Sequence, residues 1–461
     1  MDMTAFISVL AILQLICLWV GKKASNGLDN QEEYFLAGKG VRFFPLLMTF
    51  LATQVGGCLI LGAAEEAYRF GWTVLLYPLG ASLGFLVLAL GVGKKMAQFQ
   101  VSTVAELLGN VYSSGKIKKI ASLLSIVSLF MILIAQVIAS KKCMVSLGFD
   151  HALLFLIFWA IVIVYTVMGG LKAVVSIDII QASFFIAVFF IGMGFILYTS
   201  DFNLVQTVQA GWNTEQFEFN ASKLNGWLLM PLLFMVIEQD MAQRCFAATS
   251  PRVVTRAAGY TALLTLLISI IPVFFGILGK QLDIPLLPGS SVFMDVAQAL
   301  TTPILAAFIG CAVLMAILST AISLLNAVSS NLSQDFDFSF LKGPRSIQTC
   351  RLITAGIGIA AVMGSYFAGE IVGLLIQSYE LSVCCLFVPV FAALFRPNGN
   401  SLSAWLALAF GGAGFVMSRF IPEVMPKEIV GLLLSVVGYG IGVIWFRFSL
   451  LSASVSPMEE R

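Results

Sequence analysis

Apolar stretches, separated by short clusters of charged and turn-forming residues, recur from one end of the chain to the other. They give thirteen candidate spans, at roughly residues 4–20, 43–64, 72–93, 120–140, 152–168, 173–199, 224–245, 257–279, 303–330, 352–369, 371–395, 401–418 and 429–446. Runs of this kind cross about 30 Å of hydrocarbon as helices, which satisfy their own backbone hydrogen bonds where no water is at hand. The pattern predicts an all-α, polytopic membrane protein, with one integral membrane domain over residues 1–461.

Composition points the same way. The chain is 59% hydrophobic and 11% charged, against about 25% charged in a soluble globular protein, and its mean hydropathy is +0.97. A formal charge of +2, with no basic and aromatic patch, predicts no nucleic-acid partner; the lipid bilayer is the expected surrounding. The first run has no basic residue before it and is followed by Gly21, Lys22 and Lys23 rather than a small-residue cleavage site, so it reads as a retained helix. The eight cysteines lie in or beside apolar runs without CxxC spacing and read as packing residues. His151, the single histidine, begins a span and reads as an interfacial residue; a histidine-dependent metal site or catalytic triad is not expected.

An odd number of spans puts the termini on opposite sides. With the N-terminus outside, nineteen of the 26 lysines and arginines fall on inner segments; Arg69, Lys141, Lys142, Lys223, Lys280, Arg419 and Lys427 fall outside. That asymmetry predicts a cytoplasmic C-terminus, in the cell membrane of a bacterium. Gly169 and Gly170 then form a tight cytoplasmic turn, with Lys172 as a positive anchor. The stretch "NGLDNQEEYFLAGKGVRFF" is polar and then aromatic, as a segment lying on the inner surface before the second span would be. The outer loops 200–223 and 280–302, with Trp212, Asn220, Pro285, Pro288 and Gly289, read as connectors rather than lids.

Two spans carry interruptions. In "TFLATQVGGCLILG", Thr53 and Gln54 precede adjacent glycines near mid-membrane; such a pair either frees carbonyls toward a cavity or allows close helix packing. In "WLLMPLLFMVIEQDMAQRCFAATS", Pro231 removes a backbone donor and the helix then meets Glu238, Gln239 and Asp240. Broken helices at corresponding places in two five-helix halves point to inverted repeats with a binding site at the midplane. The halves would be 43–199 and 224–395, with one extra span before them and two after. In the ninth span, Ala316, Ser319, Thr320 and Ser323 share one helical face, which reads either as hydroxyl ligands for a hard cation or as packing glue. Asp178, about two turns into the sixth span, costs on the order of 3 kcal/mol at a membrane centre. It faces an aqueous path or a cation, or pairs with Lys172.

The segments "EYFLAGKGVRFF", "GGLKAVVSIDIIQ", "QDMAQRCFAA" and "AILSTAISLLNAVSSNLSQDF" together resemble the sodium/solute symporter family, which includes sodium/glucose, sodium/proline and sodium/pantothenate carriers, from about residue 30 to 400. The resemblance implies a leucine-transporter-type 5+5 inverted-repeat fold with one added N-terminal helix and two C-terminal ones. It also implies a sodium ion held by main-chain carbonyls of Ala52, Val55 and Ala316 and by the hydroxyls of Ser319 and Thr320. Asp178 matches the acidic residue of the family's Gly-Gly motif, on the inner sodium exit path. The positions for a small-molecule solute would be Thr53, Gln54, Gly57, Gln136, Glu238, Gln239, Gln377 and Tyr379.

Glu238 departs from the neutral amide that several such carriers hold there; it either meets a substrate ammonium or neutralises Arg244. The fourth span has no arginine to clamp a carboxylate, which argues against a sialic-acid-like ligand. The expected activity is sodium-coupled symport of a small polar organic solute by alternating access, an amino acid ahead of a sugar or carboxylate. The alternatives are a proton-coupled carrier, with Glu238, Asp178 or Glu380 titrating, and a membrane sensor retaining the transporter fold. No nucleophile–base pairing or metal-ligand spacing points to an enzyme. Oligomeric state is not legible.

Overall fold

The computed structural model describes residues 2–25, 31–199, 203–212, 225–285, 289–337, 347–368, 371–396, 399–420 and 427–455. Asn220, Lys223, Pro288, Lys342, Arg345, Arg461 and residues 26–30 lie outside them. Among the described residues the fold is helical, and backbone pairing of the extended type is confined to an isolated bridge between Val41 and Ala248.

Nine helices are long and apolar enough to cross a membrane, and the apolar helices Phe43–Gln54, Asn225–Ile237 and Ser401–Met417 are shorter. Each of the thirteen runs has a helical counterpart. The first is Met3–Ala24, whose free amides at Thr4 and Ala5 are capped by Asp2 Oδ1 at 3.0 and 3.1 Å. The second comprises Phe43–Gln54 and, after a break, Cys58–Gly62 with Ala63–Phe70; the third runs from Leu76–Val87 to Gly93–Met96. The fourth is Gly115–Ser146.

The fifth and sixth are one helical element, Ala152–Thr199, bent at Gly170 (φ 54°, ψ −150°). No loop separates them: the tight turn expected at the glycine pair is this single residue. Gly170 is required twice over, by its positive φ and because a Cβ there would collide with the Tyr34 carbonyl.

The seventh span comprises Asn225–Leu229, Met230–Ile237 and Gln239–Ala247. The eighth is Pro251–Gln281, the ninth Pro303–Asp335 and the tenth Ile347–Gly364. The eleventh runs through Ile371–Ser382, Val383–Phe387 and Val388–Phe395; the twelfth is Ser401–Met417 and the thirteenth Lys427–Val455.

The ninth span is the axis of the molecule. It packs against the first, second, fourth, sixth and tenth, and most of its length is buried within protein rather than left for lipid. The twelfth and thirteenth pack chiefly on one another and on the middle of the eleventh, at the periphery. Large apolar side chains such as Trp19, Leu90 and Trp445 stay exposed, as a lipid-facing surface requires.

Two connecting segments contain more structure than their sequence predicts. Leu204–Ala210 is a helix that docks on Trp72, whose indole donates to the Val208 carbonyl at 2.9 Å. Val292–Leu300 is a second, with Phe293 and Met294 buried. The segment before the second span is likewise more than a surface stretch: Tyr34 and Phe35 are fully enclosed. Val41 there bonds to Ala247 and Thr249, joining the start of the second span to the end of the seventh.

Candidate functional site

The second span breaks where its sequence predicts. Val55 leaves helical geometry (φ −85°, ψ 75°), and the chain passes Gly56 and Gly57 before a widened turn over Cys58–Gly62. Gly56 lies against the ninth span so closely that a Cβ would collide with Thr320 Oγ1. The Gly57 amide, freed by the break, donates to Gln136 Oε1 at 2.8 Å. The seventh span breaks at Glu238, which is extended (φ −63°, ψ 127°). Pro231 is not the break; it sits inside Asn225–Ile237, directly after the widened turn Asn225–Leu229, and the helix runs on past it to Ile237.

At the first break the four candidate cage oxygens, of Ala52, Ala316, Ser319 and Thr320, converge with the Thr53 carbonyl. Ser319 Oγ donates within 2.7 Å of the Ala52 carbonyl and 2.8 Å of the Ala316 carbonyl. Thr320 Oγ1 lies 3.2 Å from the Ala52 carbonyl, 2.9 Å from that of Thr53 and 3.4 Å from that of Ala316. Ala52, Ala316 and Ser319 are fully buried and Thr320 nearly so. Val55 is buried beside them, at the point where the helix opens. The donor set is all oxygen and carries no formal charge, which suits a hard monovalent cation.

One helical turn further along the ninth span, Ser323 Oγ donates to the Ser319 carbonyl at 2.8 Å and accepts from Arg244 Nη2 at 2.6 Å. Arg244 is fully buried. Its Nε donates to Thr49 Oγ1 at 2.8 Å and its Nη1 to the Asp240 carbonyl at 2.8 Å, and its Nη2 lies 3.4 Å from Asp178 Oδ2. The Thr49 hydroxyl donates to Asp178 Oδ2, whereas Oδ1 is buried without a partner. Both pairings considered from sequence are corrected here: the partner of Asp178 is Arg244 and not Lys172, which is exposed, and the hydrogen bonds of Arg244 go elsewhere than Glu238.

A cavity opens beside the four oxygens, lined in part by Thr53, Gln54, Gln136, Glu238, Thr320 and Tyr379. Its open space is about 20 Å³, room for a water molecule but not for an organic solute. Of the eight expected solute positions, five line it. Gly57 stands behind the wall, contributing its amide to Gln136.

Gln239 and Gln377 do not line it. Gln239 accepts from the Val104 amide at 2.7 Å and donates to the Ser102 carbonyl at 3.1 Å, clamping the segment that follows the third span. Gln377 is exposed, because residues two apart on a helix point to nearly opposite sides and Tyr379 takes the inner one. Sequence reasoning missed Tyr77, whose hydroxyl is 3.3 Å from that of Tyr379, and Phe234, whose ring centroid is 4.3 Å from that of Tyr379. It also missed Thr49, although Thr49 and Thr53 are one turn apart on the same face.

The model of the sodium:solute symporter family matches residues 34–395, the greater part of the chain. The chain belongs to the sodium:solute symporter family. Its relatives there include the high-affinity choline transporter 1 of Drosophila melanogaster, 28% identical over 174 residues that cover 37% of this chain and 28% of that one. The sodium/proline symporter of Staphylococcus aureus is 24% identical over 383 residues, covering 77% and 72%. The chain aligns with 26–54% of the length of the leading curated relatives. Among solved structures, a Na+-coupled sialic acid symporter in a substrate-bound outward-open state superposes with a TM-score of 0.79 at 18% identity, over 95% of this chain and 97% of that one. The symporter-family fold thus extends over nearly the whole molecule.

Proposed function

We propose that this protein is a sodium-driven symporter that moves a small polar organic solute across the membrane by alternating access. The observation that carries the reading is the convergence of the Ala52 and Ala316 carbonyls with the Ser319 and Thr320 hydroxyls at the break in the second span. Sodium held there, with the Val55 carbonyl as a further ligand, stabilises the opened helix. Because Thr53 and Thr320 also line the cavity, the ion raises solute affinity, and by linkage the solute raises sodium affinity by the same factor. One sodium ion moving down about 100 mV gains roughly 2.3 kcal/mol, enough for about fifty-fold accumulation of a neutral solute.

Asp178, held by the same Arg244 that bonds Ser323 one turn along the ninth span, stands on the proposed inner exit path of the ion. The two interrupted spans occupy corresponding places in the halves 43–199 and 224–395, as inverted repeats require. The lysine and arginine asymmetry supports an outside N-terminus and a cytoplasmic C-terminus in a bacterial cell membrane. Family membership and the superposition on a Na+-coupled symporter support sodium as the coupling ion. The substrates named for the relatives, choline, proline and sialic acid among them, do not agree on a solute.

The test is uptake into proteoliposomes under a sodium gradient, with potassium replacing sodium as the control. Thr320→Ala, which removes one oxygen from the cage, raises the sodium concentration for half-maximal uptake by on the order of tenfold, as expected for a lost ligand. Uptake that follows a proton gradient and ignores sodium, or a variant with unaltered sodium dependence, refutes the assignment.

A further inference from the structure

Glu238 sits in the cavity wall at the break of the seventh span, 7% exposed, with Oε2 buried and without a hydrogen-bond partner. Among the residues lining that cavity it carries the single formal charge; no lysine, arginine or histidine is present. Arg244 makes no hydrogen bond to it: its guanidinium bonds to Thr49, Ser323, Asp178 and the Asp240 carbonyl. A buried carboxylate without a hydrogen-bonded counter-charge is unfavourable, and a cation entering the cavity relieves it.

The surroundings define that cation further. Tyr77 and Tyr379 present aromatic rings beside the carboxylate, and Phe234 backs the second of them. Rings of this kind stabilise an organic ammonium through their faces and its alkyl groups through their area. A neighbouring cavity shares Cys58, Tyr77 and Leu375 with this one and is lined by Glu66 and Trp227, again with no basic side chain. The two cavities share part of an acidic and aromatic wall, which concentrates cations and disfavours anions.

We infer that the co-transported solute is a small organic cation, an amine or quaternary ammonium compound, whose nitrogen lies against Glu238, beside Tyr77 and Tyr379, in a more open state of the cavity. The inference rests on the symport reading above and adds the solute class to it. It is tested by thermal stabilisation of the purified full-length protein, in sodium and in potassium, with matched probes. These are choline and ethanolamine, the neutral carbon analogue of choline, the zwitterions glycine betaine and proline, the carboxylate lactate, and glucose.

The expected result is stabilisation by a cationic probe in sodium, little response to its neutral analogue, and affinity reduced on the order of tenfold or more in Glu238→Gln. Glu238→Asp, which keeps the charge, retains the preference for the cation. Size-exclusion profiles establish that both variants fold. Stronger stabilisation by the neutral, zwitterionic or anionic probes overturns the solute class, as does a cationic probe that Glu238→Gln binds equally well. If sodium stabilises the protein and no cationic probe does, the class fails while the symport reading stands. If sodium itself has no effect on stability or on probe binding, the symport reading fails first.

Discussion

The second and seventh spans are both interrupted near the middle of the molecule, yet the two breaks are built from different materials. The break in the second span is made by absence: Gly56 lacks the side chain that would collide with Thr320, and its neighbourhood is filled by oxygens of the ninth span. The break in the seventh is made by a residue with a long charged side chain, Glu238, which leaves helical geometry and contributes to the cavity wall. A gap in side-chain bulk lets two backbones approach and pool their oxygens. A gap occupied by a carboxylate presents charge to whatever enters. The first arrangement suits a bare ion and the second an organic one. On the readings proposed above, the breaks divide the labour according to the residues that make them.

The stretches on one side of the two breaks are tied together by Arg244. It follows the seventh-span break, and it bonds to Thr49, which precedes the second-span break, and to Asp178 and Ser323. Arg244→Ala is the change expected to do most damage. It leaves the Asp178 carboxylate buried without its counter-ion, at a cost of about 3–5 kcal/mol. Thermal unfolding of the detergent-solubilised protein measures the loss. The double change Arg244→Met with Asp178→Asn removes both charges and should recover much of it. A single variant as stable as the parent would mean that the two breaks are not coupled through this pair.

Gly56→Ala probes the other half of the contrast. The added methyl group meets Thr320 Oγ1 and Cβ and presses on Gln136 Oε1, so the second and ninth spans must separate or Thr320 must turn. Sodium-dependent uptake should fall by at least about tenfold, with a smaller loss of stability of roughly 1–3 kcal/mol typical of overpacking. The alanine variant should also weaken sodium-induced thermal stabilisation. Parent-like sodium dependence would show that the close approach serves packing alone.

These features were not equally legible. Thirteen helices follow from apolar runs because the bilayer imposes a length that any sequence must meet. The glycine-made break was legible in part: paired glycines in a span mark either an opened helix or close packing, and here they serve both. The break at Glu238 was harder, because Pro231 offered a more obvious local cause. The helix carries Pro231 behind the widened turn Asn225–Leu229 and runs on, and what opens the chain seven residues later is tertiary.

Side-chain direction was the least legible. Gln377 and Tyr379 lie in the same short polar patch, yet only Tyr379 reaches the cavity. Gln239 follows Glu238 immediately, but the change of backbone direction aims it at Ser102 and Val104 instead. Which residue of such a pair faces inward depends on the rotation of the helix about its axis, and that is fixed by neighbours tens or hundreds of residues away.

The smallest expected effect separates a cause from a bystander. Pro231 lies in the first turn of Met230–Ile237, directly after the widened turn Asn225–Leu229, and its side chain is buried. If the proline were responsible for interrupting the seventh span, Pro231→Ala would let the helix run on, displace Glu238 from the cavity and impair uptake. If Glu238 is the break, the substitution restores one amide near the preceding turn and leaves residues 238–247 in place. Stability should then change by less than about 1 kcal/mol, because the widened turn before it already accommodates the missing amide. Half-saturating sodium and solute concentrations should stay within about twofold of the parent, since 1.4 kcal/mol corresponds to tenfold in affinity. A large loss of solute affinity in Pro231→Ala would move the origin of the second interruption back to the proline, and with it the contrast between a break made by missing bulk and one made by charge.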